Sequence, residues 1–172
     1  MTPSAPTLSS ELARAIARWT EQDPDPHTRQ QVAELLTDAE AGSTQAIAEL
    51  VDAFSARLQF GTAGLRGALG PGPNRMNRVV VGQAAAALAR YLLDHGLTGG
   101  QVIISFDARD NSDVFARDTA EIMAGAGFQS MITAGPLPTP VVAFGIRDLG
   151  CAAGIVVTAS HNPSQDLSLI HI

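Results

Sequence analysis

Residues 154–166 read GIVVTASHNPSQD, an apolar stretch that ends in Ser160 and His161. A serine hydroxyl next to an imidazole suits nucleophilic chemistry, in which the histidine takes up the hydroxyl proton. The stretch lacks the G-x-S-x-G turn of hydrolases, and adjacent side chains usually point apart, so a Ser-His triad has poor support. Asn162-Pro163 is also a common turn sequence. The residues alone leave two alternatives, a reactive serine or an ordinary turn.

A second candidate is the glycine-punctuated segment GTAGLRG at residues 61–67. Its glycines allow the backbone to approach a ligand closely. Thr62 offers a hydroxyl, and the guanidinium of Arg66 can donate paired hydrogen bonds to a phosphate. The spacing matches neither the dinucleotide-binding nor the P-loop pattern. The segment is therefore either an anion-binding loop or a plain glycine turn.

Asp107 and Arg109 lie in the segment DARDNS, directly after the apolar segment QVIISF. Both side chains could orient a ligand. Residues of these types also pair with neighbouring loops or cap the next helix. We favour the structural interpretation for this segment.

Two kinds of element must position these residues. Residues 9–56 carry helical patterns only, and we expect three helices there, starting at Ser9 or Ser10, at the capping-box pair Thr28 and Gln31, and at Ser43. From Arg57 onward, strand and helix patterns alternate: strand RLQF, a glycine-rich loop, a helix over residues 79–95, strand QVIISF, a helix from Ser112, strand FQSMIT, helix PTPVVAFGIRDLG and strand AAGIVVT.

This alternation predicts an α/β fold, namely a three-layer α/β/α domain with a mostly parallel sheet, preceded by a small helical N-terminal extension. We place the extension at residues 1–56 and the α/β/α domain at residues 57–166. Ligands of such sheets bind at the carboxyl ends of the strands. The loops after RLQF, QVIISF and AAGIVVT are therefore expected to meet there.

Composition narrows the classes of partner. The formal net charge is −6 and the isoelectric point is near 5.0, so we expect neither a nucleic acid nor a membrane as partner. All eleven cationic side chains are arginines, whose planar forks suit phosphate and carboxylate groups. The single cysteine, Cys151, lies in apolar surroundings and is expected to be an inert thiol. The N-terminal residues show no export signal, so we expect a cytoplasmic protein.

The segments TASHNP (158–163) and FGTAGLRG (60–67) resemble motifs of the α-D-phosphohexomutases, the superfamily of phosphoglucomutases and phosphomannomutases. GPLPTP (135–140) is similar to a connecting segment of the same family. The helical N-terminal segment and the sequence RLQFGTAGLRGALGPGPNRMN look most like the longer phosphoglucomutase and phosphopentomutase branch of the family. The resemblance covers the first of the family's four domains.

The resemblance implies a phosphosugar mutase that moves a phosphoryl group between C1 and C6 (or C5) of a sugar through a bisphosphorylated intermediate. Ser160 would carry the phosphoryl group, His161 would shape the site, and Arg66 would face the phosphate, with Thr62 as a further phosphate-binding residue. Mg²⁺ would bind through the phosphate on Ser160, and a sugar bisphosphate would act as activator. The expected partners are a sugar monophosphate and a sugar bisphosphate.

After Asp166 the chain departs from the family pattern, which continues with Asn-Gly and then a lysine proposed for proton transfer. Here the residues are LSLIHI, which match the translation of CTGTCTCTTATACACATC, a transposase-end sequence used in preparing sequencing libraries. We therefore expect residues 167–172 to be a non-native tail read from an adaptor. Since the family's aspartate loop for Mg²⁺ and its sugar-recognition loop are also missing, we expect this chain alone to be inactive.

Two other functions remain open from the sequence. The chain could be a non-catalytic α/β module that binds sugar phosphates, or part of a serine-dependent, phosphatase-like hydrolase. Downstream sequence that encodes the aspartate loop would favour the mutase. Release of free phosphate without a bisphosphate would favour the hydrolase.

Overall fold

The computed structural model describes residues 8–61, 64–159 and 166–171. Its N-terminal part contains three helices, α1 (Ser10–Gln22), α2 (Pro26–Glu40) and α3 (Thr44–Phe54). Serine hydroxyls cap two of them, because Ser9 accepts a hydrogen bond from the Leu12 N–H and Ser43 accepts one from the Ala46 N–H. These two helix starts confirm the sequence prediction.

The start of α2 differs from the prediction. The helix begins at Pro26, and the Asp25 side chain caps it by accepting the His27 N–H at 2.9 Å. Proline is favoured in the first turn because its missing N–H has no helical partner there. The predicted capping residue, Thr28, lies inside the helix, and its hydroxyl donates to the carboxylate of Asp23.

The three helices bury a shared apolar cluster. Its core side chains are Ile16, Trp19, Val32, Leu50, Ala53 and Phe54. The rings of Trp19 and Phe54 meet edge to face, with their centroids 5.5 Å apart. Val79, near the start of the next helix, packs against this cluster and so joins it to the α/β domain.

Six strands of the described chain form one sheet, in the spatial order β1-β2-β6-β5-β3-β4. Their bounds are β1 Phe60–Gly61, β2 Gly64–Ala68, β3 Gln101–Phe106, β4 Gln129–Ile132, β5 Ala153–Val157 and β6 Asp166–His171. Strand β3 pairs in parallel with β4 and with β5, whereas the pairs β1–β2, β2–β6 and β6–β5 are antiparallel. The sheet is therefore mixed, and the expected parallel arrangement holds for β4, β3 and β5.

Helices cover both faces of the sheet, which confirms the layered α/β class. Helices α4 (Arg78–Asp94) and α5 (Ser112–Gly125) share one core cluster with side chains such as Ile104, Ile155 and Leu169. Helix α6 (Thr139–Asp148) packs on the opposite face, where Gly154 leaves room for Val142 and Ile146. None of the helices in the described ranges is long and apolar enough to span a bilayer.

The glycine-rich segment was predicted as a loop, but the structure places residues 64–68 in strand β2 and shortens the predicted RLQF strand to its last residue. Pairing with β6 explains the difference, since Leu65 lies opposite Leu169 and both side chains are buried. Residues 167–171 thus form a central strand between β2 and β5. Their origin from an adaptor, and the domain boundaries, stay predictions.

Candidate active site

The carboxyl ends of β3 and β5 lie side by side, because the two strands are parallel neighbours. The backbone N–H of Asp107, just after β3, donates to the Val157 carbonyl at the end of β5 with a length of 3.0 Å. The chain then continues through Thr158 and Ala159 toward Ser160. This is the edge at which α/β sheets bind ligands.

A row of polar residues crosses the sheet next to this edge. Arg66 on β2 lies opposite Ser168 on β6, and the Thr158 N–H donates to the Ser168 carbonyl at 2.9 Å. Two strand spacings, ~10 Å, therefore separate the backbones of Arg66 and Thr158. The apolar neighbours Leu167 and Leu169 face the α4–α5 core, so Ser168 faces the other side of the sheet.

The guanidinium of Arg66 is hydrogen-bonded to a buried hydroxyl. Its Nε–H donates to Ser168 Oγ with a length of 2.9 Å, and Ser168 is completely buried. A hydrogen bond from a charged donor to a buried acceptor restricts the rotamers of a long side chain. The arrangement therefore fixes where the guanidinium of Arg66 lies relative to the sheet edge.

Two more hydroxyls lie near this edge and were not singled out from the sequence. The Thr133 hydroxyl after β4 lies 3.1 Å from the Ser105 hydroxyl on β3 and 2.9 Å from the Gly135 carbonyl. Ser105 is completely buried. A hydroxyl within the apolar segment VIISF was the available signal, since buried polar groups in strands need partners.

The DARDNS segment has the structural role that we favoured. The Nε of Arg109 lies 3.2 Å from the Asp107 carboxylate, which also accepts the Arg109 backbone N–H at 3.1 Å. The Ser112 hydroxyl oxygen lies 2.6 and 2.7 Å from the carbonyl oxygens of Asp107 and Arg109, which share its single donor hydrogen. These contacts tie the loop to the first turn of α5.

An open groove of about 740 Å³ begins at this loop and runs between α5 and β4. Its walls include Asp107, Arg109 and Thr133, but not Arg66 or Thr158. The groove is therefore separate from the row formed by Arg66, Ser168 and Thr158.

Three of the predicted site residues, Ser160, His161 and Thr62, lie outside the described residues. Their roles stay predictions. Arg66 is described, and the structure places it on the same sheet edge as the strand that leads into Ser160. In the described ranges no group of three His, Cys, Asp or Glu side chains is arranged to hold a metal ion. These residues therefore do not by themselves form a Mg²⁺ site.

Comparison with known protein families matches residues 57–170 to "Phosphoglucomutase/phosphomannomutase, alpha/beta/alpha domain I". The chain belongs to this family. The match includes residues of all six described strands, among them Arg66 and Ser168, and it confirms the superfamily that the two motifs indicated.

Relatives within the phosphoglucomutase/phosphomannomutase family carry several activities in their names. The chain is 54% identical over 91 residues to "Probable phosphomannomutase" of Haemophilus influenzae, covering 53% of this chain and 19% of that protein. It is 37% identical over 165 residues to human "Phosphopentomutase", covering 91% and 26%. A solved Thermus thermophilus structure named "putative phosphomannomutase" has a TM-score of 0.62 and 37% identity, covering 67% of this chain and 25% of that one. The chain thus spans about a fifth to a quarter of the length of these relatives.

Proposed function

We propose that this chain is the N-terminal part of a phosphosugar mutase that moves a phosphoryl group between C1 and C6 (or C5) of a sugar. The observation that carries the proposal is the match of residues 57–170, which include Arg66 and Ser160, to domain I of the phosphoglucomutase/phosphomannomutase family. The names of the relatives support a phosphosugar as substrate.

Ser160 is the phosphoryl carrier in this proposal. A sugar hydroxyl attacks the phosphorus of phosphoserine, the bond from phosphorus to Ser160 Oγ breaks, and the hydroxyl proton leaves to a base. The sugar bisphosphate so formed turns around and returns its other phosphoryl group to Ser160. A sugar bisphosphate then serves as activator, because it phosphorylates an enzyme molecule whose serine is free.

Arg66 stabilises the charge on the transferred group. Phosphoryl transfer passes through a loose transition state with negative charge spread over three oxygens, so positioned cations contribute most of the catalysis. The catalytic role proposed for Arg66 does not depend on its bond to Ser168, since Ser168 lies in the segment expected to be non-native. His161 and Thr62 complete the phosphate site in this proposal.

Mg²⁺ belongs to the proposal only as a ligand of the full-length, phosphorylated protein. It would be bound by a phosphate oxygen on Ser160 and by carboxylates from outside the described residues, since those residues hold no cluster of metal-binding side chains. Hard cations of this kind favour oxygen ligands.

The test is intact-mass analysis of the full-length gene product after incubation with a sugar bisphosphate. We expect one added phosphoryl group in the wild type and in the matched control Ser164→Ala, and none in Ser160→Ala. A wild type that stays unmodified, or an adduct that survives in Ser160→Ala, contradicts the proposal. Release of free phosphate with no adduct would instead indicate a hydrolase.

A further inference from the structure

A second concave surface lies between the helical N-terminal part and the start of α4. We call it the extension groove, and its volume is about 550 Å³, within the range of small-molecule sites. Its walls are Ala15, Arg18, Trp19, Gln22, Phe54, Ser55, Ala56, Arg57, Pro73, Val79, Val80 and Gln83. It shares no residue with the polar row at the sheet edge.

The charge of the extension groove is opposite to that of the chain. The chain carries a net charge of −6, yet the lining residues, all within the described ranges, include two arginines and no Asp or Glu. Arg57 donates to the neutral side-chain oxygen of Gln83 at 3.4 Å, and Arg18 forms no ion pair with any described residue. Two cations without a carboxylate between them favour an anion as ligand.

Four other arginines, Arg75, Arg78, Arg90 and Arg109, each form an ion pair with an aspartate. Their charge is neutralised locally, whereas Arg18 and Arg57 line one groove whose described walls carry no carboxylate.

Trp19 forms part of the apolar wall of the groove, and the residue is only 8% exposed. Phe54, Pro73 and Val80 add apolar surface to the same wall.

We propose that the extension groove binds a small anion-bearing ligand, with a phosphate or carboxylate group between Arg18 and Arg57 and an apolar or planar body against Trp19. Planar guanidinium groups form paired hydrogen bonds with both kinds of anion. The site is independent of the proposed mutase reaction, because none of its residues belongs to the sheet edge. It would give the helical N-terminal part a binding role in addition to its packing role.

Trp19 provides the reporter, since it is the only tryptophan in the 172-residue chain. The experiment titrates this chain with inorganic phosphate, phenyl phosphate and benzoate at constant ionic strength. Trp19 fluorescence and the single indole N–H cross-peak in an NMR spectrum are followed. We expect a saturable change, with phenyl phosphate binding more tightly than inorganic phosphate because its ring adds apolar contact.

Arg18→Gln and Arg57→Gln, singly and together, test the site, and Arg14→Gln on the same helix is the control of equal charge. All three arginines are exposed, so little effect on folding is expected, and circular dichroism checks it. Each site variant should bind about tenfold more weakly or worse, as expected for loss of a hydrogen bond to a charged group. Arg14→Gln should bind like the wild type.

Two results would overturn the proposal. One is the absence of any saturable response to all three anions in the folded wild type. The other is a response that the double variant retains or that Arg14→Gln weakens equally, because it would reflect general ionic effects. A response to inorganic phosphate equal to that of phenyl phosphate would overturn the part that assigns an apolar body to the ligand.

Discussion

The loop of residues 70–77 holds the helical N-terminal part against the α/β domain, and Gly72 is a tight point in that contact. Gly72 has a φ of +98°, and a Cβ added there would lie 2.5 Å from the carbonyl oxygen of Ala53 on α3. The same oxygen accepts the Asn74 N–H at 3.0 Å. Gly42, after α2, has a similar φ of +92°, yet an added Cβ would meet nothing within 4 Å. The substitutions Gly72→Ala and Gly42→Ala therefore differ mainly in steric contact.

The size of the difference follows from these contacts. Both substitutions force alanine into the left-handed region, which costs about 1–2 kcal/mol. Gly72→Ala must also displace the Ala53 carbonyl, which adds overpacking of about 1–3 kcal/mol and weakens a hydrogen bond of about 1 kcal/mol. We expect a loss in unfolding free energy of about 1–2 kcal/mol for Gly42→Ala and about 3–6 kcal/mol for Gly72→Ala.

Urea unfolding of the 172-residue chain measures both values. Far-UV circular dichroism follows all helices, and the fluorescence of Trp19 follows the cluster that includes Phe54 and α3. With a denaturant slope of about 2 kcal/mol per M, a difference of about 2 kcal/mol separates the midpoints by about 1 M. Equal unfolding free energies for the two variants, within about 0.5 kcal/mol, would contradict the tight packing of this loop against α3.

Three further predictions concern other contacts. A double-mutant cycle with Arg66→Met and Ser168→Ala, measured by urea unfolding, should give a coupling free energy of about 1–2 kcal/mol between the two side chains. Strictly additive losses of unfolding free energy would contradict the hydrogen bond between them. Arg78 donates two hydrogen bonds, of 2.6 and 2.7 Å, to the Asp118 carboxylate, and these bonds raise the pKa of Arg78. Lysine cannot make both bonds, so Arg78→Lys should lose about 1 kcal/mol of unfolding free energy in thermal unfolding, and an unchanged midpoint would be evidence against the paired geometry. Burial raises the pKa of the Cys151 thiol, so iodoacetamide should alkylate it more slowly than an exposed cysteine in a peptide, and the rate should increase with pH. Equal alkylation rates for the protein and the peptide would show an accessible thiolate.

Some features of the fold could be predicted from short stretches of sequence. The caps at Ser9 and Ser43 depend on a side-chain oxygen and an N–H three residues later, so the signal and the structure lie within one turn. Strand QVIISF was predicted with its full bounds because a short apolar run is typical of a buried strand. The two motifs likewise indicated the family that the comparisons show.

Contacts between distant residues could not be predicted in this way. Nothing near GTAGLRG identifies its pairing partner, which is strand β6 about a hundred positions later, so residues 64–68 were predicted as a loop. The antiparallel part of the sheet was missed for the same reason. Arg66 was singled out from its type and spacing, but the buried hydroxyl that orients it was not.

The sequence by itself determined the local elements, the family and the identity of the candidate residues, because these depend on side-chain chemistry and on spacings of a few residues. Only the tertiary structure decided strand order, register and the row that joins Arg66 to Ser168 and Thr158. The physical reason is that register is selected by burying Leu65 and Leu169 on one face of the sheet, and this choice becomes available only when distant segments pair.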